Sequence, residues 1–398
     1  MEHIVVVGAS LAGLRAVEAF RREGFAGRLT FVGAEPDEPY DRPPLSKAYL
    51  AGDADRSSLA LRAQGYDELD VDLRLGQSAH SLDVSGRTVG VGDESVAFDG
   101  LVIATGAAPR RLPTQPDVAG VHTLRTIADS DAIGAWIEGD ARLCVIGAGF
   151  IGAEVAATAR SRNRAVTVLE ALPQPMVRGV GPVIGEVLAR LHRARGVDLR
   201  LGVGVDAIAG DSTVERVHLV DGSVVECDAV LVAIGAVPTT DWLEGSGLTV
   251  DNGVVCDASL HAAPGIVAAG DVCRWPNEQF DGEVMRIEHW TNAAEQGTHA
   301  ARSLLAGDDA APFATVPFVW SDQYDVKIQS AGRFSGEDRM EIVSGSVEED
   351  RFVAIFERGG RISGVLGFSQ PRRVIQYRRM IADHESFDAA LAFAAENP

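Results

Sequence analysis

The sequence predicts an α/β fold with two doubly wound halves followed by a smaller α+β part. Three observations predict it. A unit of apolar strand, glycine-rich turn, helix and second strand opens the chain at Ile4. The same unit returns at Leu143. The pattern then changes after about residue 315. The length of 398 residues allows two to three domains. Hydrophobic residues make up 46% and charged residues 23%, the balance of a globular chain.

The first unit runs Ile4-Val5-Val6-Val7 into Gly8-Ala9-Ser10-Leu11-Ala12-Gly13, after which Leu14, Val17 and Phe20 recur about once per helical turn. The second runs Leu143-Cys144-Val145-Ile146 into Gly147-Ala148-Gly149-Phe150-Ile151-Gly152, and its helix continues with the small Ala153, Ala156 and Ala157. Each unit returns to a strand ending in an acid, Leu29 to Glu35 and Ala165 to Glu170. The acid then falls at roughly the 20-residue spacing of a dinucleotide-binding, Rossmann-like βαβ unit. Leu101–Ala107 and Val230–Ala236 read as later parallel strands ending in small residues, and Gly265–Asp271 as one ending in an acid. Beyond residue 315, Phe352–Phe356 and Gly364–Phe368 read as antiparallel strands, and Ser386–Ala395 as a closing helix.

The second turn is a complete Gly147-x-Gly149-x-x-Gly152 between strand and helix. Gly147 permits the tight turn, Gly149 lets backbone N–H groups approach a pyrophosphate, and Gly152 lets the helix lie on its strand. The first turn departs by placing Ser10 at the second glycine position, where a small hydroxyl can itself reach a phosphate. Glu170 is placed to hold ribose hydroxyls and repel a 2′-phosphate, which favours NADH over NADPH; Glu35, or its neighbour Ala34 through backbone, is expected to serve the other adenosine ribose. Two such sites in one chain suggest an electron relay in which NADH gives hydride to a resident flavin.

Charge and composition exclude other classes. The net charge of −21 repels nucleic acid and anionic membranes. No apolar run approaches the ~18 residues of a membrane span, and the N-terminus lacks a secretion signal, so a cytoplasmic protein is expected. Cys144, Cys227, Cys256 and Cys273 include no C-x-x-C pair, and no histidine spacing suggests a metal. Only two lysines occur, Lys47 and Lys327.

Pro39-Tyr40-Asp41-Arg42-Pro43-Pro44-Leu45-Ser46-Lys47, Ala104-Thr105-Gly106, Phe150-Ile151-Gly152-x-Glu154, Ala269-Gly270-Asp271-Val272, Glu288-His289-Trp290 and Trp320-Ser321-Asp322-Gln323 occur in this order. With these marks the whole chain resembles the FAD-dependent NADH:ferredoxin reductases of bacterial oxygenase systems, within the glutathione-reductase-like flavoproteins. The resemblance implies that Gly8, Ser10, Ala12 and Gly13 cradle the FAD pyrophosphate. It also implies that Arg42, following the ribose-binding strand, helps bind the cofactor, that Arg125 contacts the flavin, that Lys47 lies near its ring, and that Ala79 meets the adenine through backbone. Asp271 would hold the ribityl chain, with Ala104, Thr105 and Gly106 beside the cofactor and Trp290 and Trp320 near the isoalloxazine. On the nicotinamide side it implies Gly147, Gly149, Phe150, Ile151, Gly152, Glu170 and Gly235, with Glu154 facing the nicotinamide and paired with Lys47. Disulfide reductases of this superfamily carry a redox cysteine pair where this chain has Pro43-Pro44-Leu45-Ser46-Lys47. Electrons are therefore expected to leave the flavin singly, to a [2Fe–2S] ferredoxin that feeds a haem-thiolate monooxygenase or a Rieske dioxygenase.

The expected domains are an FAD domain (1–112 and 243–315), an NADH domain (113–242) and a C-terminal α+β domain (316–398). An acidic reductase needs a local basic face for an acidic ferredoxin. Arg372, Arg373, Arg378 and Arg379, with Arg302 and Arg333, are the candidates. An NADH oxidase and an NADH-sensing flavoprotein that changes binding partners are the alternatives.

Overall fold

The computed structural model describes residues 1–397. The chain divides into two compact units. One comprises Met1–Asp41, Leu59–Ala108 and Val237–Pro317, the other Arg42–Ser58, Pro109–Ala236 and Phe318–Pro398.

The first unit is built on a six-stranded sheet. Its order is His261–Ala263, Ile266–Ala268, Gly100–Ile103, His3–Val7, Arg28–Val32 and Val71–Arg74. All neighbours run parallel except the hairpin of the first two. Apart from His3 at its start, the two central strands are apolar and buried, because both faces are covered. Helices Leu11–Arg22 and Trp290–Ala306 lie against one another. The contact is close because Gly297 carries no Cβ, which would stand 2.2 Å from the Ala12 carbonyl oxygen. A three-stranded antiparallel meander, Ala79–Asp83, Thr88–Val91 and Glu94–Ala97, completes the αβ part.

In the second unit a five-stranded parallel sheet is ordered Asp198–Leu201, Val166–Glu170, Leu143–Ile146, Ala229–Val232 and Val121–His122. Helix Phe150–Ser161 follows its central strand. The C-terminal sheet is antiparallel throughout, ordered Phe318–Gln323, Val326–Gly332, Arg361–Phe368, Arg351–Arg358 and Arg339–Ser346. The long buried runs of its strands, Phe352–Phe356 and Ile362–Phe368, are explained by two covers. Val180, Ile184, Val187, Leu188 and Leu191 of helix Val177–Ala194 pack on Ile328, Phe352, Phe356, Leu366 and Phe368. Helix Pro371–Ala382 buries Val374, Tyr377 and Ile381 and packs chiefly on strand Arg361–Phe368.

In both parallel sheets the strand before the glycine turn is central, with the chain continuing to opposite sides of it. The crevice at the carboxyl end of such a strand is where doubly wound sheets bind ligands.

Candidate redox site: two dinucleotide turns and a buried ion pair

The two turns are steric copies. Gly8 has φ 117° and Gly147 φ 104°, conformations that L side chains avoid. A Cβ on Gly8 would stand 2.1 Å from the Ala104 carbonyl oxygen, and one on Gly147 would stand 2.4 Å from that of Ala233. Gly13 and Gly152 each face the carbonyl of the turn's first glycine, with a hypothetical Cβ 2.1 Å from its oxygen. Each helix therefore starts directly against its strand and presents its first-turn N–H groups, which lack intrahelical partners, at the crevice. Ser10 is the N-cap of the first helix and makes no side-chain cap bond; Gly149 is the N-cap of the second, with open space where its Cβ would be. Phe150 is half-buried and Ile151 is left 43% exposed at this turn.

Around the first turn, Ala104 donates its N–H to Val7 at 2.7 Å, and Thr105 Oγ1 donates to the Thr239 carbonyl at 2.8 Å. Gly106 accepts from Thr239 N–H at 3.0 Å. Glu35 lies three residues beyond its strand and accepts from the Tyr40 hydroxyl. Ala79 begins the meander. Asp271, buried, sits in a short 3-10 turn, Gly270–Val272. Trp290 Nε1 donates to Asp41 at 2.7 Å. Beside Asp271 the first turns of helix Trp290–Ala306 hold three buried polar atoms without protein partners: His289 Nδ1, Asn292 Oδ1 and Gln296 Nε2. Burial draws the His289 pKa down to about 4, against the opposing pull of Asp271. Such a polar, anion-ready crevice fits a flavin dinucleotide, whose hydroxyls and phosphates would satisfy these groups.

Around the second turn, the Glu170 carboxylate accepts the N–H of Ala148 at 2.8 Å and that of Leu172 at 2.9 Å. The Glu170 carboxylate thus braces the turn, and each oxygen keeps lone-pair capacity beyond the one N–H it receives. Gly235, with φ 99° and open space beside it, accepts from Arg110 N–H at 2.9 Å. These features fit a nicotinamide dinucleotide.

The structure brings Lys47 and Glu154 together. Lys47 Nζ lies 2.8 Å from Glu154 Oε2. Glu154, on the second turn of helix Phe150–Ser161, is only 4% exposed. It also accepts from Ser46 Oγ at 2.5 Å and Ser321 Oγ at 2.7 Å. Segment Pro43–Ser46 is a short 3-10 helix with prolines at its start. It is pinned by Ser130 Oγ to the Leu45 carbonyl and by Thr158 Oγ1 to the Ser46 carbonyl, both at 2.8 Å. Arg42 donates to the Arg125 carbonyl at 2.6 Å, and Arg125 N–H donates to Asp129 at 2.9 Å. Trp320 is half-buried beside Phe318, ring centroids 6.2 Å apart. Ser46 and Ser321 were not among the residues read from the sequence as site groups, although both stand inside its quoted motifs.

The four cysteines are free thiols, all buried. Cys256 follows strand Val254–Val255, Cys273 begins the neighbouring strand Cys273–Asn277, and their sulfurs approach to 3.9 Å. None lies in the Pro43–Lys47 segment. Of the basic candidates, Arg302 is engaged by Glu23 at 2.7 Å, Arg378 lies over the Phe318 ring at 5.4 Å, and Arg372 and Arg379 are exposed. No helix among the described residues is long and apolar enough to cross a membrane.

Two glycine-turn βαβ units and a buried lysine–carboxylate pair define a dinucleotide-dependent oxidoreductase architecture. The chain belongs to the pyridine nucleotide-disulphide oxidoreductase family, which residues 2–297 match, and residues 318–397 match the reductase C-terminal domain. It is 39% identical over 384 residues to rhodocoxin reductase of Rhodococcus erythropolis, covering 95% of this chain and 89% of that one. It is 35% identical over 396 residues to putidaredoxin reductase of Pseudomonas putida, covering 96% and 92%. Among solved structures, the reductase of the covalent putidaredoxin reductase–putidaredoxin complex superimposes with TM-score 0.92 at 33% identity, over 96% of this chain and 93% of that one.

Proposed function

We propose that the protein is an FAD-dependent NADH:ferredoxin reductase. It oxidises NADH and passes two electrons, one at a time, to a [2Fe–2S] ferredoxin serving a haem-thiolate monooxygenase or a Rieske dioxygenase. The balance is one NADH and two oxidised ferredoxins giving NAD⁺, two reduced ferredoxins and a proton. FAD supplies the junction between two-electron and one-electron chemistry.

The observation that carries this reading is the Pro43–Lys47 segment, where a lysine paired with Glu154 stands and no thiol is within the segment. A thiol relay is thereby removed, leaving an outer-sphere acceptor as the outlet. The domains divide the work as FAD (1–112 and 243–315), NADH (113–242) and C-terminal α+β (316–398). Gly8, Ser10, Ala12 and Gly13 hold one pyrophosphate, with Asp271 on the ribityl hydroxyls. Gly147, Gly149 and Gly152 hold the other, with Glu170 on its ribose. Lys47 and Glu154 orient the dihydronicotinamide, where geometry rather than a transferred proton sets the rate. The protein acts in the cytoplasm, where NADH and oxidised ferredoxin are available.

Stopped-flow mixing with NADH, then with a [2Fe–2S] ferredoxin and cytochrome c, tests the reading. Fast flavin bleaching and ferredoxin-dependent cytochrome reduction are expected. Bleaching with ferredoxin-independent turnover points to an oxidase, and absence of bleaching by NADH overturns the assignment of the second turn.

A further inference from the structure

A chain of buried hydrogen bonds runs from Glu154 away from the ion pair. Ser321 Oγ lies 2.7 Å from Glu154 Oε1. A carboxylate only accepts, so Ser321 donates, and its oxygen must accept from Gln323 Nε2 at 3.2 Å. That fixes the Gln323 amide, whose Oε1 then accepts from His192 Nε2–H at 3.0 Å. Burial holds the His192 pKa below its ordinary value. The neutral ring has a bare Nδ1, which accepts from the Tyr324 hydroxyl at 3.0 Å. Each donor along Tyr324, His192, Gln323, Ser321 and Glu154 is thus set by the next acceptor. His192, Ser321 and Gln323 are buried.

The far end is clamped. Tyr324 occupies a two-residue turn between strands Phe318–Gln323 and Val326–Gly332, with φ 58°. Glycine is the usual occupant there; a tyrosine is strained and persists only where its surroundings hold it. Arg195 lies over its ring at 5.1 Å and pairs with the adjacent Asp325. Gln323 sits in the middle of the chain, and an amide does not pass protons readily, so the chain is suited to orientation rather than proton conduction.

We propose that His192 and Gln323 are positioning residues for the redox site, which fix through Ser321 the orientation of Glu154 and thereby of its partner Lys47. The proposal deepens the reading of Glu154 as the group that orients the nicotinamide, and rests on it for the kinetic part of its test.

The variants are Gln323→Leu, which removes both bonds at similar volume, and His192→Phe. His192→Gln is the conservative change, since its amide can donate to Gln323 and accept from Tyr324. The first readout needs no turnover. The holoenzyme has two lysines, so acetylation by an N-hydroxysuccinimide ester, followed by peptide mass spectrometry, gives the Lys47 rate against Lys327. Lys327 is on the same hairpin, paired with Asp322 at 2.7 Å, and reports any distortion of that hairpin. Expected is a severalfold rise at Lys47 with Lys327 unchanged for Gln323→Leu and His192→Phe, and wild-type behaviour for His192→Gln. The second readout is flavin reduction by NADH, expected to slow roughly tenfold from misorientation. That loss should disappear when Gln323→Leu is made in a Glu154→Gln background. Unchanged Lys47 acetylation, or an equal kinetic loss with and without Glu154, overturns the proposal. A wild-type flavin that NADH fails to bleach overturns the reductase reading instead and leaves the acetylation result standing.

Discussion

Replacing either member of the Lys47–Glu154 pair should be costly, and replacing both should cost little more than one. At 2.8 Å and an effective dielectric of about 20, the gross attraction is about 6 kcal/mol. Much of it is offset by desolvation, because the Lys47 side chain is 18% and the Glu154 side chain 5% exposed. The hydroxyls of Ser46 and Ser321 add to what Glu154 receives, so Glu154→Gln leaves a buried cation unpaired and forces an amide N–H toward a donor. Each single change, Glu154→Gln or Lys47→Met, should cost about 3 kcal/mol. Scanning calorimetry of the holoenzyme, 398 residues long, should show Tm lowered by about 4 °C for each, at ~2 cal/mol/K of unfolding entropy per residue. The double variant should fall no further than the worse single, and 0.5 M salt should leave the pattern intact because the pair is shielded from solvent. Additive shifts, or singles that melt with the wild type, would refute the claim that these charges stabilise each other.

Protonating His289 opposes folding, since its folded pKa of about 4 lies below its ordinary value. Apoprotein stability should therefore be complete above pH 6.5 and decline toward pH 4 by about 3 kcal/mol, and His289→Asn should flatten that slope in urea titrations. Gly8→Ala forces a methyl onto the Ala104 carbonyl and should yield protein with substoichiometric flavin, read from the visible-to-280 nm absorbance ratio. Gly147→Ala, with the corresponding clash at Ala233, should keep its flavin and lose NADH reduction. Glu170→Gln removes the charge proposed to meet the ribose and loosens the turn it braces, so the kcat/KM ratio for NADH over NADPH should fall roughly tenfold. Since all four thiols are buried, N-ethylmaleimide on the native enzyme should leave ferredoxin reduction unchanged.

The glycine turns were readable because sterics leave few residue choices at Gly8 and Gly147, and a requirement of that kind is written locally. The pairing of Lys47 with Glu154 came from resemblance rather than spacing, and the structure forms it across 107 residues of sequence. The meander Ala79–Asp83, Thr88–Val91 and Glu94–Ala97 went unread because its first strand buries only Leu82, too little alternation to mark a sheet face. Helix Ile127–Glu138 carries a readable signal, the Thr126–Asp129 capping box, but its apolar positions are scattered. The His192 chain had no local signature at all. His192 and Gln323 are 131 residues apart, and only the packing of helix Val177–Ala194 on the C-terminal sheet brings them together.

The interleaving of the two units has a consequence for biosynthesis. Strand Gly100–Ile103 pairs on one side with His3–Val7, which precedes it, and on the other with Ile266–Ala268, which leaves the ribosome much later. At ~5–20 residues per second that neighbour arrives on the order of ten to thirty seconds afterwards. Meanwhile an apolar strand presents an unpaired edge while the whole of Pro109–Ala236, a segment of the other unit, is being made. A nascent chain of this topology therefore passes through a prolonged stage with an adhesive edge, and its yield in a cell should depend on chaperone capacity and translation speed across residues 109–265 more than on the stability of the finished enzyme.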